Sequence, residues 1–233
     1  MKSLLLILAL FISATLNAAD ICSQNNPGYF CLPVEQNQNN VMNGTNFYLI
    51  PVKIIGLFYQ EISDAGYPVQ LDAKWESPYF GAGVSLYENA FHLMILGGTT
   101  RLLEMTEDAY AAVVCHEIGH IVAGEPRQTI TGAEWSSSEG QADFFAASVC
   151  LPRYFKSLAV TPKDIPLRVN NAGFDMMNTF KNIDTNSIDK TVSKTRATMP
   201  AVSETLVNKY PSLQCRYENF RNPSKRAACW YKN

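Results

Sequence analysis

Residues 113–124 read VVCHEIGHIVAG and contain His116, Glu117 and His120 in the order HExxH. Residues four apart on a helix lie one above the other, so the imidazoles at 116 and 120 can reach a single point in space. That spacing commits the segment to a helix with a metal ion against one face, and Glu117 projects beside the same point. A zinc ion held this way acidifies water, and a neighbouring carboxylate can take the proton. The chain is therefore expected to be built around this helix and to carry the chemistry of a zinc-dependent hydrolase.

Two histidines do not complete such a site; a third protein ligand is needed, with the fourth position left open. Glu139, 19 residues beyond His120, is the best placed, near the start of a second helix that can fold back on the first. Asp143 falls on the same helical face, where it can accept a hydrogen bond from the non-ligating nitrogen of a histidine. Its neighbours Ala142, Phe144, Phe145, Ala146 and Ala147 predict a largely buried helix. Buried carboxylates need cationic or metal partners. Glu125 and Glu134 lie in loop contexts, and His92 stands alone in an apolar strand, where a packed residue is the better reading.

The rest of the chain supplies a frame. Ile54, Leu57, Phe58 and Ile62 recur at helical spacing within 47–63, and Gly66 with Pro68 ends the pattern. Short strands are expected around 69–73, 84–87 and 91–96, forming a small, mainly antiparallel sheet of three strands. Thr106 is a plausible N-cap for the metal helix, with Glu107 and Asp108 in the first turn, where acidic groups suit the helix dipole. Ser136 to Ser138 can cap the second helix, and Pro152 is expected to end it. Farther on, 174–180 reads as a short helix and 188–208 as a polar helix interrupted at Met199-Pro200.

Met1 and Lys2 precede an apolar run from Leu4 to Ile12, followed by Ala14, Ala18 and Ala19, the layout of a cleavable signal peptide over 1–19. Residues 20–46 form a polar, irregular leader in which Asn43-Gly44-Thr45 matches a glycosylation acceptor, and 47–233 a single domain. With 47% hydrophobic residues the chain can fill one sizeable core. A net charge of -2 and the lack of a basic run argue against nucleic acid as a partner. No stable membrane span is expected after cleavage, and the destination is secreted or periplasmic. Six cysteines in the exported part suggest disulfides. The sequence-near pairs Cys22–Cys31 and Cys215–Cys229 are favoured, which leaves Cys115–Cys150.

HEIGH followed by EGQAD resembles the HExxH and ExxxD pair of gluzincin metallopeptidases, in particular the HtpX and CAAX prenyl protease-like family. Asn89-Ala90-Phe91 is similar to that family's NAF segment, and Tyr210-Pro211 with Arg216 resembles its late HP segment and following arginine. The resemblance implies a zincin-like α+β domain, mostly helical. It implies His116, His120 and Glu139 as ligands of one Zn²⁺, Glu117 as general base and Asp143 as the partner of His116. It further implies that 91–96 is an edge strand able to pair with an extended peptide. Tyr210 replaces the family's late histidine; Tyr210 and Arg216 are then either oxyanion or substrate contacts, or Tyr210-Pro211 only packs and Arg216 only pairs with a structural carboxylate. The expected function is thus an exported zinc endopeptidase acting on extended or unfolded polypeptide. The alternative is a secreted, disulfide-stapled peptide-binding or chaperone-like protein with a zinc site and little turnover.

Overall fold

The computed structural model describes residues 30–183, 192–194 and 199–232. The expected signal peptide at 1–19, the leader up to residue 29 and Cys22 lie outside them. The architecture is α+β, with a small three-stranded sheet against a helical body.

The body is organised on the HExxH helix, Glu107–Val122, designated α3 because two helices precede it, α1 (Gly44–Leu57) and α2 (Tyr59–Asp64). Thr106 caps α3 as expected: its hydroxyl oxygen accepts the Ala109 N–H at 3.1 Å. Every residue from Ala109 to Ile121 is buried. A helix enclosed around its whole circumference is a central one.

One contact fixes α1 on α3 through a backbone defect. Pro51 lies inside α1 and has no N–H to offer the carbonyl of Phe47, four residues earlier. The buried Tyr110 hydroxyl of α3 donates to that carbonyl at 2.9 Å, and the Phe47 and Tyr110 rings stack at 5.8 Å. The helix expected over 47–63 thus starts at Gly44, capped by the side chain of Asn43, and breaks at Phe58 into α1 and α2.

The strands are β1 (Val69–Lys74), β2 (Ala82–Tyr87) and β3 (Ala90–Leu96), in spatial order β1-β3-β2. β2 and β3 form an antiparallel hairpin whose two-residue turn places Glu88 and Asn89 at positive φ, while β1 runs parallel to β3. The sheet is therefore mixed, correcting the expectation of a mainly antiparallel one. The chain between β1 and β2 makes a wide turn that leaves the central slot for β3. The buried Arg101 holds that turn, donating to the carbonyls of Leu32 (2.6 Å), Ser77 (2.9 Å) and Trp75. A second correction follows. Residues 91–96 form the central strand, hydrogen-bonded on both sides, so they cannot accept an added peptide strand; the edges are β1 and β2.

After the HExxH helix, α4 (Glu139–Phe145), a π-helical turn (Ala146–Cys150) and α5 (Leu151–Ser157) form a continuous rod. Pro152 does not end the helix. It falls in the first turn of α5, where the widened π-turn has already broken the regular bonding ladder and the missing N–H costs little. α6 (Ile165–Ile183) absorbs the expected short helix at 174–180 in the same way, with Pro166 harmless in its first turn. It packs against α3 and against α7 (Leu213–Arg221), a helix not expected from the sequence. Among the described residues of 188–208 there is no helix.

Cys115 of α3 is bonded to Cys150 of the π-turn, with Cα atoms 5.6 Å apart, and Cys215 is bonded to Cys229 at 5.9 Å. The expected Cys22–Cys31 pair involves Cys22 and so falls outside the described residues.

Candidate metal centre

α3 and α4 approach closely because the contact lacks side chains. A Cβ on Gly119 would stand 3.0 Å from the Cα and carbonyl oxygen of Ala142. Beside that contact the two helices present His116, His120 and Glu139 to one another, all buried.

The imidazole nitrogens His116 Nε2 and His120 Nε2 are 3.1 Å apart. The Glu139 carboxylate completes the triangle, with Oε2 at 3.2 Å from His116 Nε2 and Oε1 at 3.7 Å from His120 Nε2. Ligands about 2.0–2.1 Å from a tetrahedral ion stand about 3.4 Å from each other, so these separations match one cation at the centre.

The far side of each ring carries the same message. His120 Nδ1 lies 2.8 Å from the Ser137 carbonyl oxygen, which can only accept, so Nδ1 holds the proton and Nε2 offers its lone pair inward. The Ser136 hydroxyl also approaches Nδ1, at 3.1 Å. His116 Nδ1 lies 2.8 Å from Asp143 Oδ1 and is fixed in the same tautomer. Arg216 of α7 grips that carboxylate from behind, through Nε to Oδ2 at 2.7 Å and Nη2 to Oδ1 at 3.0 Å. Both histidines are thus oriented by outer hydrogen bonds of the kind that accompany metal ligation. Glu139 Oε2, by contrast, is buried with no hydrogen-bond partner.

The electrostatics suit a cation. Glu117, Glu139 and Asp143 bring three buried carboxylates against the single guanidinium of Arg216. Burial, the largest influence on His116, would lower its pKa, yet the Asp143 and Glu139 carboxylates carry it up to about 10. Burial likewise acts to raise Glu139, and His116, His120 and Arg216 overcome it, drawing the carboxyl down to about 2. Asp143 is held below its ordinary range by Arg216 and His116 against its own burial. The residues fit a divalent metal ion, and the His116–His120–Glu139 cluster could hold one.

The sequence-derived positions divide clearly. His116, His120 and Glu139 come together, Asp143 stands behind His116, and Glu117 lines an open cleft of about 450 Å³ with His116. Tyr210, 69% exposed, and Arg216 line the same cleft. Of the two readings of Arg216, the geometry shows the pairing with a carboxylate: its guanidinium is bound to Asp143. His92 is outside the cluster, stacked on Tyr87 at 3.5 Å. Sequence reading missed the Ser137 carbonyl and the Ser136 hydroxyl, since the three serines were read only as caps. Ser138 holds the N-cap position of α4 without a side-chain cap bond, while Ser137 is tied to the end of α3 through its own N–H to the His120 carbonyl.

Comparisons with protein-family models, with curated proteins and with solved structures gave no match.

Proposed function

We propose that this chain is a zinc-dependent endopeptidase of the gluzincin kind, working on extended polypeptide outside the cytoplasm. The observation that carries this reading is the three-ligand cluster with Glu117 beside it at the cleft. A site that was only structural would be closed by a fourth protein ligand, and among the described residues three are gathered. Zinc suits a donor set of two imidazoles and one carboxylate, and when bound it supplies the Lewis acid that acidifies water and polarises a carbonyl.

The chain's own groups then have defined tasks. Glu117 takes a proton from water at the cleft and passes it to the departing amine. Asp143 and the Ser137 carbonyl hold the two imidazoles with Nε2 inward, and Arg216 keeps Asp143 ionised. The Tyr210 hydroxyl, at the cleft wall, donates to the oxyanion of the attacked carbonyl. Extended substrate pairs with β2 in place of 91–96. Tyr87 faces Ala90 at the hairpin and the Leu96 N–H reaches the Gly81 carbonyl, so Ala82, Val84 and Leu86 turn their N–H and C=O groups away from β3. Ala82 lines the cleft beside Glu117. The strand-addition mode needs such an open edge.

Export is supported by the two disulfides, which suit an oxidising compartment. Among the described residues no helix is long and apolar enough to cross a membrane.

The test is casein hydrolysis by the purified protein and by Glu117→Gln, with zinc content measured on both. Turnover should fall about 10²–10⁴-fold in the variant while zinc stays at one per chain. Equal turnover in both removes Glu117 from the chemistry. No turnover in either, with zinc bound, favours the peptide-binding alternative.

A further inference from the structure

β1 is an open edge of the sheet. In a parallel pair alternate residues of a strand bond to the neighbour, and the Phe91 N–H donates to the Pro68 carbonyl at 2.8 Å, so Gln70, Asp72 and Lys74 turn their backbone groups towards β3. Val69, Leu71 and Ala73 turn theirs outward, where among the described residues no backbone group meets them. The strand has neither the proline nor the bulge that blunts an edge, and its charges, Asp72 and Lys74, pair with each other at 3.1 Å. α1 runs antiparallel beside it. The Tyr48 hydroxyl accepts the Trp75 N–H at 3.4 Å beyond one end of β1, and Ile55 and Tyr59 share a surface hollow with Tyr67, Pro68 and Val69 at the other. The outer side of α1 carries Leu49, Val52, Gly56 and Tyr59 at i, i+3, i+7 and i+10, the spacing of a seam between paired helices. Bonds from the Phe58 N–H to the Ile54 carbonyl and from the Ile62 N–H to the Phe58 carbonyl carry the helical path across the break, so Tyr59 stays in line. Leu49, Val52 and Tyr59 are 58%, 55% and 69% exposed. Tyr48 and Ile55 flank this stripe on the β1 side; Lys53, whose amine reaches the Ser157 carbonyl at 3.4 Å, flanks it on the other. Stripe and strand edge thus face the same way.

We infer that a second copy of this chain covers both, about a two-fold axis perpendicular to the sheet that passes between paired β1 strands and paired α1 helices. Each element selects a second copy by its own self-complementarity. Antiparallel pairing of β1 centred on Leu71 uses every outward residue of the strand: Leu71 bonds to Leu71 of the partner copy, and Val69 to the partner's Ala73. Gln70 then lies across from the partner's Asp72, an amide against a carboxylate. Antiparallel pairing of α1 centred on Ile54 sets Leu49 against the partner's Tyr59. It also seats Val52 in the space at the partner's Gly56, where a Cβ would meet nothing within 4 Å. The polar Thr45 and Ser63 close the two ends of the seam. The two centres agree, because Tyr48 beside Trp75 and Ile55 beside Val69 place Ile54 close to the level of Leu71. One axis therefore satisfies both elements. The outward strand residues and about three helical turns per copy bring the joined surface to on the order of 1,000 Å², the size a specific interface has to clear. The joined sheet has the order β2-β3-β1-β1-β3-β2 and leaves both β2 edges, and with them both clefts, free at its ends. The interface does not depend on the chemistry proposed for the metal centre.

Sedimentation equilibrium of the full exported chain should show a reversible monomer–dimer equilibrium. Val52 is exposed in a single copy, so Val52→Glu leaves the fold intact. It should raise the dimer Kd about 100-fold or more, by setting two carboxylates on the seam. Leu49→Glu gives the same comparison at a second position. Ile130→Glu, at a residue 50% exposed in the loop after α3, should leave Kd within about twofold. The strand register has its own readout. Gln70→Lys faces the partner's Asp72 on both sides of the axis and should lower Kd about threefold or more, whereas Gln70→Glu should raise it about threefold or more. A chain that stays monomeric throughout the concentration series overturns the proposal, and so does a dimer that ignores either Val52→Glu or the Gln70 substitutions.

Discussion

Asp143 stands 2.8 Å from Nδ1 of His116 while both its oxygens are held by Arg216, so one carboxylate sets both the tautomer of a ligand and the position of a guanidinium. Asp143→Asn leaves an acceptor for the imidazole but turns an amide against Arg216. Zinc affinity should fall about 10–100-fold, read by competition with a chromogenic chelator. Undiminished affinity would show that the ring is oriented by packing alone.

Arg216 is 5% exposed, and its removal strands Asp143 as a buried, uncompensated charge. Arg216→Leu should cost about 3–5 kcal/mol in urea unfolding. Arg216→Lys should restore only part of it, because an ammonium cannot reproduce the two-pronged contact. A variant of unchanged stability with a raised KM would make Arg216 a substrate contact after all.

The pH response of the metal-free protein has a definite sign. His116 is raised from 6.5 to about 10, so its contribution is full below pH 6.5 and is lost as pH climbs towards 10. Glu139 is lowered from 4.5 to about 2, so its contribution is present above pH 4.5 and is lost as pH falls towards 2. Thermal unfolding in excess chelator should therefore peak between about pH 4.5 and 6.5. Zinc should flatten the alkaline decline, since a coordinated Nε2 no longer needs a proton. A chelated protein most stable near pH 9 would contradict this.

The Cys115–Cys150 bond closes a sequence separation of 35 residues. Cys115→Ser with Cys150→Ser should lower stability by about 4 kcal/mol by the loop-entropy relation. Guanidinium unfolding of the double variant with zinc present is the measurement. A loss below about 1 kcal/mol would mean that helix packing and the metal already hold these helices together.

The parts legible in sequence were those governed by neighbours along the chain. Thr106 caps its own helix, His116 and His120 share a face by spacing, and Glu139 with Asp143 repeats that spacing one helix later. The parts that escaped depend on distant groups. Whether β3 lies inside or at the edge of the sheet turns on the width of the chain segment before β2, and the brace that sets it, Arg101, comes after β3. Pro51, Pro152 and Pro166 all read as punctuation. Yet one is answered by Tyr110 from another helix and two fall in first turns, where the lost N–H has no role. Nor does any local signal distinguish the backbone carbonyl of Ser137 from other loop carbonyls.

The π-turn at Ala146–Cys150 divides two duties within one rod. One extra residue in a turn rotates everything beyond it by about 100° relative to what comes before. In unbroken α-helix Cys150, eleven positions after Glu139, would return to the ligand-bearing face; the added residue swings it sideways, to the flank where Cys115 lies off the histidine face of α3. Forcing 146–150 into regular α-helix without shortening the chain would therefore leave Glu139 and Asp143 aimed at the histidines while turning the thiol of Cys150 away from its partner. The ligand face and the cross-linking face are set by separate phases of one helix, and the π-turn is what brings Cys150 into the second of them.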